Sequence, residues 1–295
     1  MTDAVASRIT GRKRSKRARP KPNGWAWAGI IIVAVGLLLA IFGPLLAPHG
    51  VGEIISDSNF EAPGETTVMG TDALGRDLLS RLLYGAQLTV GLALAATVVG
   101  FLIGMAVGFS AAEVGGRYDD FVTWLIDTFL SFPPLMLALI VIAALSSSLP
   151  VLIGVIAILH ASRVARVGRA IAMNVAALEF VEVARARGEK LFSILVREIW
   201  PSTIRPLAVE FGLRMTYSIL FLSSLSFLGL GIQPPDADWG SMVRENMDAI
   251  SVGKGHYLPV LAPAFAIAIL TVGVNLIVDW LGAQSGRGIS EELTK

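Results

Sequence analysis

The sequence predicts an all-α membrane protein with six spanning helices, and three observations carry that expectation. Hydrophobic residues make up 54% of the 295 positions and charged residues only 16%, where a soluble domain carries about a quarter charged. The mean hydropathy is accordingly high, at +0.67. Six segments, roughly 25–47, 86–110, 120–145, 149–172, 203–227 and 257–281, reach or approach the ~20 mostly apolar residues that cross a hydrocarbon core of ~30 Å. The Lys and Arg residues, finally, gather on one side of those segments.

The elements follow in order. Eight of the 24 Lys and Arg residues lie between Arg8 and Lys21. Such a run reads as a solvated basic tail, residues 1–24, able to touch anionic lipid heads. The long apolar segment directly after it argues against a nucleic-acid arm. The first apolar segment, 25–47, exceeds a signal-peptide core of ~7–15 residues and reads as a retained anchor. A loop rich in Gly, Pro and Asp follows over 48–84. It ends in Asp77–Tyr84, which reads as a short surface helix capped and oriented by Asp72, Arg76 and Asp77. Five helices are expected within 85–282. The least apolar is 149–172, interrupted by Ser162 and Arg163, with Arg163, Arg166 and Arg169 near one face, where long side chains can snorkel. A second Gly/Pro/Asp-rich loop covers 229–256, and residues 283–295 form a short tail. With the N-terminus inside, 19 Lys and Arg residues fall on the inner side and four on the outer. This asymmetry places both termini in the cytoplasm.

Several residues inside the spans carry more information. Gly100, Gly104 and Gly108 form a GxxxGxxxG ladder along one helix face. Helix backbones can approach closely there, either for bundle packing or as a moving interface. Pro133 and Pro134 fall in the middle of the third segment and demand a kink or a break. Asp127, about two turns earlier, is a candidate site residue or a carboxylate reaching water at a helix end. Glu210 and Arg214 stand four positions apart on one face of the fifth segment, in the favourable order. They either neutralise each other or line a polar path. His160 reads as interfacial, while His49 and His256 are loop residues without companions at ligand spacing, so no metal site is expected. The absence of cysteine excludes disulfides and thiolate sites.

The inner segment around 176–201 is the most informative. Residues 176–187 read as one helix, Gly188 as its left-handed stop, and residues 190–199 as a second, amphipathic helix ended by Pro201. Leu191, Phe192, Leu195 and Ile199 fall on one side, with Lys190, Arg197 and Glu198 on the other. An exposed helix–Gly–helix corner with an apolar patch docks on a partner or on its own bundle. No HExxH, GxSxG, Walker-type phosphate loop or strand-associated GxGxxG occurs. If ATP drives this protein, another chain must bind it. A membrane enzyme is the rival class, and Asp72, Arg76 and Asp77 are its only dense outward-facing polar group.

Glu182, Val183, Ala184, Gly188, Ile199 and Pro201 resemble the "EAA" loop of ABC-importer permeases. Gly70–Gln87, Trp124–Leu139 and Leu225–Met242 are similar to stretches of the C-type permease of the dipeptide/oligopeptide/nickel importer family, as is Phe42–Pro48. The resemblance implies a type I permease in a bacterial plasma membrane, with a cytoplasmic coupling helix formed by that loop. It also implies a homologous second permease, two ATP-binding subunits holding ATP and Mg, and an extracytoplasmic solute-binding protein. The solute would be a di- or oligopeptide, or nickel or another small solute on the same frame. This chain would be non-catalytic and cofactor-free. Asp127, Glu210 and Arg214 are the candidate residues of the solute path. The sequence departs from the pattern at Val183 (usually Ala), Trp200 (usually Leu) and Leu222 (commonly Glu), and in carrying charge at Glu210 and Arg214.

The charge asymmetry generates a topology test in this cysteine-free chain. Single cysteines at Ser58 and Asp236 should react with an impermeant maleimide from outside intact cells, and those at Ser7 and Glu189 only from inside. Outside labelling at Glu189 overturns the orientation.

Overall fold

A hydrocarbon core offers no water to backbone N–H and C=O groups, so a spanning chain must satisfy them within helices or a closed barrel. The computed structural model takes the helical solution. It describes residues 23–176, 178–189, 191–252 and 257–293; the side chains of 180, 185, 191, 192, 195, 198, 202, 252 and 284–293 are not described. The basic tail expected over residues 1–24 falls almost wholly outside that range. Among the described residues, extended pairing is limited to two single bridges, Ile54 with Arg76 and Thr71 with Asp77.

Helix α1 spans Gly24–Leu46, its first turn capped by Asn23 Oδ1, which accepts from the Ala26 N–H at 2.9 Å. Trp25 and Trp27 are exposed at that end, as interfacial aromatics are. Helix α2 runs unbroken over Leu78–Val114, 37 residues. This corrects the expectation of a separate surface helix over Asp77–Tyr84. Nothing between Tyr84 and the span breaks a helix, so one N-cap at Asp77, accepting from the Ser80 N–H at 2.8 Å, starts both. At 1.5 Å per residue α2 is about 55 Å long, well beyond the bilayer core.

The third segment divides as the prolines require. Helix α3 covers Gly116–Ser131 and α4 covers Pro134–Leu145, with 86° between them. Each proline drives the residue before it out of the helical region: Phe132 sits at φ −81, ψ 137 and Pro133 at φ −58, ψ 123. Helix α5 follows over Leu149–Ala176. A short helix α6, Glu179–Ala186, and a single turn α7, Leu191–Ile194, make the corner below it. A wide π turn, Leu195–Ile199, then leads directly into α8, Trp200–Phe227. Helices α9 (Trp239–Glu245) and α10 (Ala249–Val252) occupy the loop after α8, and α11 runs over Leu258–Leu293. The short tail expected from residue 283 therefore continues the last helix.

Among the described residues α1, α2, α5 and the Leu258–Ala283 part of α11 are long and apolar enough to cross a membrane, and the bent α3–α4 pair brings the number to five if it counts as one broken span. Helix α8, expected as a span over 203–227, is long enough at 28 residues. Its Glu210, Arg214 and hydroxyl side chains keep it out of that apolar set. It packs on α2, α5, α9 and α11, and Glu210 and Arg214 lie on its buried side, where a charged pair need not meet lipid.

The most extensive helix contact joins α2 to α5. A Cβ built on Gly100, Gly104 or Gly108 would lie 2.6, 2.6 and 2.3 Å from the carbonyl oxygens of Ala157, Ala161 and Ala165 respectively. The glycine ladder thus meets an alanine ladder of the same period, and the two backbones touch. In the loop between α1 and α2, Asp72 is fully buried. Its carboxylate accepts from Arg76 Nε at 2.7 Å and Arg81 Nη1 at 2.6 Å, while Arg76 Nη2 donates to Glu245 of α9 at 2.8 Å. Burial pushes the Asp72 carboxyl above its ordinary range, and the Arg81 guanidinium pulls it back. Asp77 caps a helix as expected, whereas Asp72 and Arg76 pin the loop to α9.

Gly104→Ala should lower the thermal stability of the purified protein by an amount on the order of 1–3 kcal/mol, the usual cost of overpacking. Gly154→Ala, on the same contact's second helix but with nothing within 4 Å of the added Cβ, should leave it unchanged. Equal melting curves for the two variants would remove the close-contact account.

Candidate functional site

Two features collect the residues singled out in the sequence: the corner between α5 and α8, and a polar, cavity-bearing strip along α5 and α8.

The corner is built from its glycine outward. Gly188 has φ +74, the left-handed value expected of a helix stop. The Glu189 N–H bonds back to the Ala184 carbonyl at 3.2 Å and the Arg187 N–H to the Val183 carbonyl at 3.0 Å, so the end of α6 closes on itself. The amphipathic pattern of α6 then divides its residues. Val181 and Ala184 are completely buried, and with Ile194 and Ile199 they join a core shared with Phe101, Met105, Phe109, Ala172, Ala176 and Leu207. Glu182, Gly188 and Pro201 are exposed, and so is Val183, at 54%. Leu178, Val196 and Trp200 also leave apolar surface bare at this end. Of the six residues expected at the corner, Ala184 and Ile199 therefore anchor it to the bundle and the other four face outward. One expectation is corrected: Pro201 does not end a helix but stands in the first turn of α8, where a missing N–H costs nothing. Lys190 lies outside the described residues, as do the side chains of Leu191, Phe192, Leu195 and Glu198.

Asp127, expected as a lone carboxylate, is ion-paired to Arg166 across α3 and α5. One turn further along α5, Arg169 pairs in the same way with Asp119. Glu210 and Arg214 do meet, with Oε1 and Nε 2.8 Å apart and the residues only 7% and 8% exposed. The guanidinium of Arg214 also lies over the ring of Tyr217, 5.0 Å from its centre. His160 overturns its interfacial reading. It is 6% exposed, and its Nε2 lies 2.8 Å from Ser218 Oγ, which is 2.7 Å from Thr97 Oγ1. A polar chain thus links α5, α8 and α2 through the middle of the bundle.

Beside that chain a cavity of about 250 Å³ opens between α5 and α8, with Pro134 at its rim and His160, Arg163, Tyr217 and Ser224 among its walls. A larger hollow of about 590 Å³ adjoins it at Leu220 and Ser224 and extends to Phe227 and Thr271. Sequence reasoning missed Tyr217, Ser218 and Ser224. The available signal was spacing: Arg214, Tyr217, Leu220/Phe221 and Ser224 recur every three or four residues on α8.

The comparisons with known proteins accord with this architecture. Residues 96–291 match the family described as "Binding-protein-dependent transport system inner membrane component". Residues 18–63 match the "N-terminal TM domain of oligopeptide transport permease C". The chain is 32% identical over 261 residues to the dipeptide transport system permease protein of Alkalihalophilus pseudofirmus, covering 88% of this chain and 85% of that one. It is 31% identical over 264 residues to the corresponding protein of Bacillus subtilis (89% and 82%). It is 33% identical over 257 residues to the glutathione transport system permease protein of Escherichia coli (87% and 84%). A multi-pass helical membrane chain with these relationships over nearly its whole length belongs to the family of binding-protein-dependent transport system inner membrane components.

Proposed function

We propose that this chain is a non-catalytic permease subunit of an ATP-driven peptide importer and forms half of its translocation path. A homologous second permease completes the path, and an extracytoplasmic binding protein delivers di- or oligopeptides. Two partner subunits bind ATP and Mg and hydrolyse the nucleotide. The chain sits in a bacterial plasma membrane with both termini cytoplasmic, and α8 makes the sixth crossing. The printed names of the relatives, a dipeptide and a glutathione permease among them, support a peptide over nickel.

The observation that carries this reading is the corner around Gly188. Its inner side is locked into the bundle by Val181, Ala184 and Ile199, while its outer side presents Glu182 and Val183 unburied. A rigid element with a bare outer face, tied to both α5 and α8, can convert a push from a partner into movement of those helices. Glu182, Val183, Gly188 and Pro201 form the face that meets the ATPase, and Ala184 and Ile199 transmit the push.

An added Cβ at Gly188 meets nothing within 4 Å, so only backbone strain opposes substitution. That strain is roughly 1–2 kcal/mol for a residue with a branched Cβ in the left-handed region, while Asn is tolerated there. Gly188→Val should leave the protein in the membrane yet abolish peptide uptake and solute-stimulated ATP hydrolysis by the purified complex; Gly188→Asn should retain both. Full activity of the valine variant defeats the assignment.

Glu210 and Arg214 belong to the solute path in this reading, and their burial supports mutual neutralisation. A lone charge at mid-membrane costs about 2.5–3.5 kcal/mol on insertion scales. Glu210→Gln and Arg214→Gln should therefore each lower the yield of assembled complex more than the double variant does. Equal yields from singles and double reject the pairing. Asp127, held by Arg166, takes a positioning part in the path by fixing α3 to α5.

A further inference from the structure

We infer that the cavity between α5 and α8 is a solute subsite in which Arg163 receives the C-terminal carboxylate of a peptide in transit. The inference rests on the peptide-permease reading above and adds the residue and the chemical group.

The argument begins with charge along α5. Arg163, Arg166 and Arg169 occupy successive turns. Arg166 is paired with Asp127 and Arg169 with Asp119. On the facing helix, Arg214 is paired with Glu210. Arg163 is exposed and has no acidic partner among the described residues, and it lines the cavity. A charge held within a membrane segment tends to have a partner or a function. Here every neighbouring arginine has its carboxylate, and the one that borders the cavity does not.

The rest of the wall indicates what that carboxylate is attached to. Ile156, Leu159 and Phe221 supply apolar surface, and the Tyr217 and Ser224 hydroxyls stand among them. A mostly apolar hollow with a few convergent polar groups is the usual form of a small-molecule site. A free inorganic anion would leave the apolar wall unused. A peptide uses both parts: side chains against the apolar wall, amides at the hydroxyls, and the terminal carboxylate at the guanidinium. The adjoining hollow of about 590 Å³ beyond Leu220 and Ser224 leaves room for the remainder of the chain. Guanidinium–carboxylate pairs are short and strong, yet this arginine is exposed, so the contact holds the solute weakly enough to let it go.

The chain contains no cysteine, so one reporter can be placed at the junction of the two hollows with Leu220→Cys. The measurement is the rate of its alkylation by N-ethylmaleimide in the purified complex, in detergent and without binding protein, read by mass spectrometry of this chain's peptides. The titrants are trialanine and trialanine amide. Trialanine should protect Cys at 220, and the amide should need an about tenfold higher concentration, the shift expected for loss of one charge-assisted contact. Arg163→Gln should raise the trialanine requirement to that of the amide, and Arg163→Lys should restore most of it. No protection by trialanine, equal protection by acid and amide, or an unchanged Arg163→Gln overturns the subsite. Loss of the second permease from the Arg163→Gln complex also overturns it, by making Arg163 a contact between subunits. Binding-protein-driven uptake of trialanine by the unsubstituted complex separates the two levels: its absence defeats the peptide reading itself, whereas its presence without Arg163 dependence defeats only the subsite.

Discussion

The rest of the structure depends on the touching backbones of α2 and α5. Lipid tails are as apolar as leucine, so no hydrophobic gain drives one helix against another in a membrane; close packing must do so. Gly100, Gly104 and Gly108 supply one flat face and Ala157, Ala161 and Ala165 the other, at the same four-residue period. This contact holds α5 at a fixed depth beside α2. At that depth His160 reaches Ser218, and Ser218 reaches Thr97. Helix α8 is located by those polar contacts, and the charged pair that lowers its hydropathy, Glu210 and Arg214, lies on its buried side.

The corner around Gly188 inherits its stiffness from the same pair. Phe101, Met105 and Phe109 on α2 and Ala172 and Ala176 on α5 form the floor on which Val181, Ala184 and Ile199 rest. The corner is thus an extension of the packed bundle and not a free loop. The loop between α1 and α2 is held differently. A buried cluster of Asp72, Arg76, Arg81 and Glu245 ties it to α9, with the charges balanced two against two. Broken singly, such a cluster leaves an uncompensated buried charge, so the loop and α9 behave as one piece.

Charge compensation recurs along the helices. Asp119 with Arg169, Asp127 with Arg166 and Glu210 with Arg214 each join residues of opposite sign. Only the last pair was legible in the sequence, because only it lies within one helix at a four-residue spacing. The first two join α3 to α5 across 50 and 39 positions. In a single sequence no period connects such residues.

The sequence by itself determined the all-helical membrane class of the protein, the break at Pro133–Pro134 and the left-handed stop at Gly188. Each of these rests on local rules: apolar length, missing backbone donors, and the freedom of glycine at positive φ. It also displayed the glycine ladder, though not the alanine ladder that meets it. Tertiary structure alone decided that Asp77 starts one 37-residue helix, that Pro201 opens α8, and that His160 is buried in place of lying at the interface. It alone left Arg163, among the described residues, without an acidic partner beside a cavity. Those outcomes depend on which side chains of different helices face one another. That facing is set by helix rotation and depth, which packing determines and no local pattern encodes.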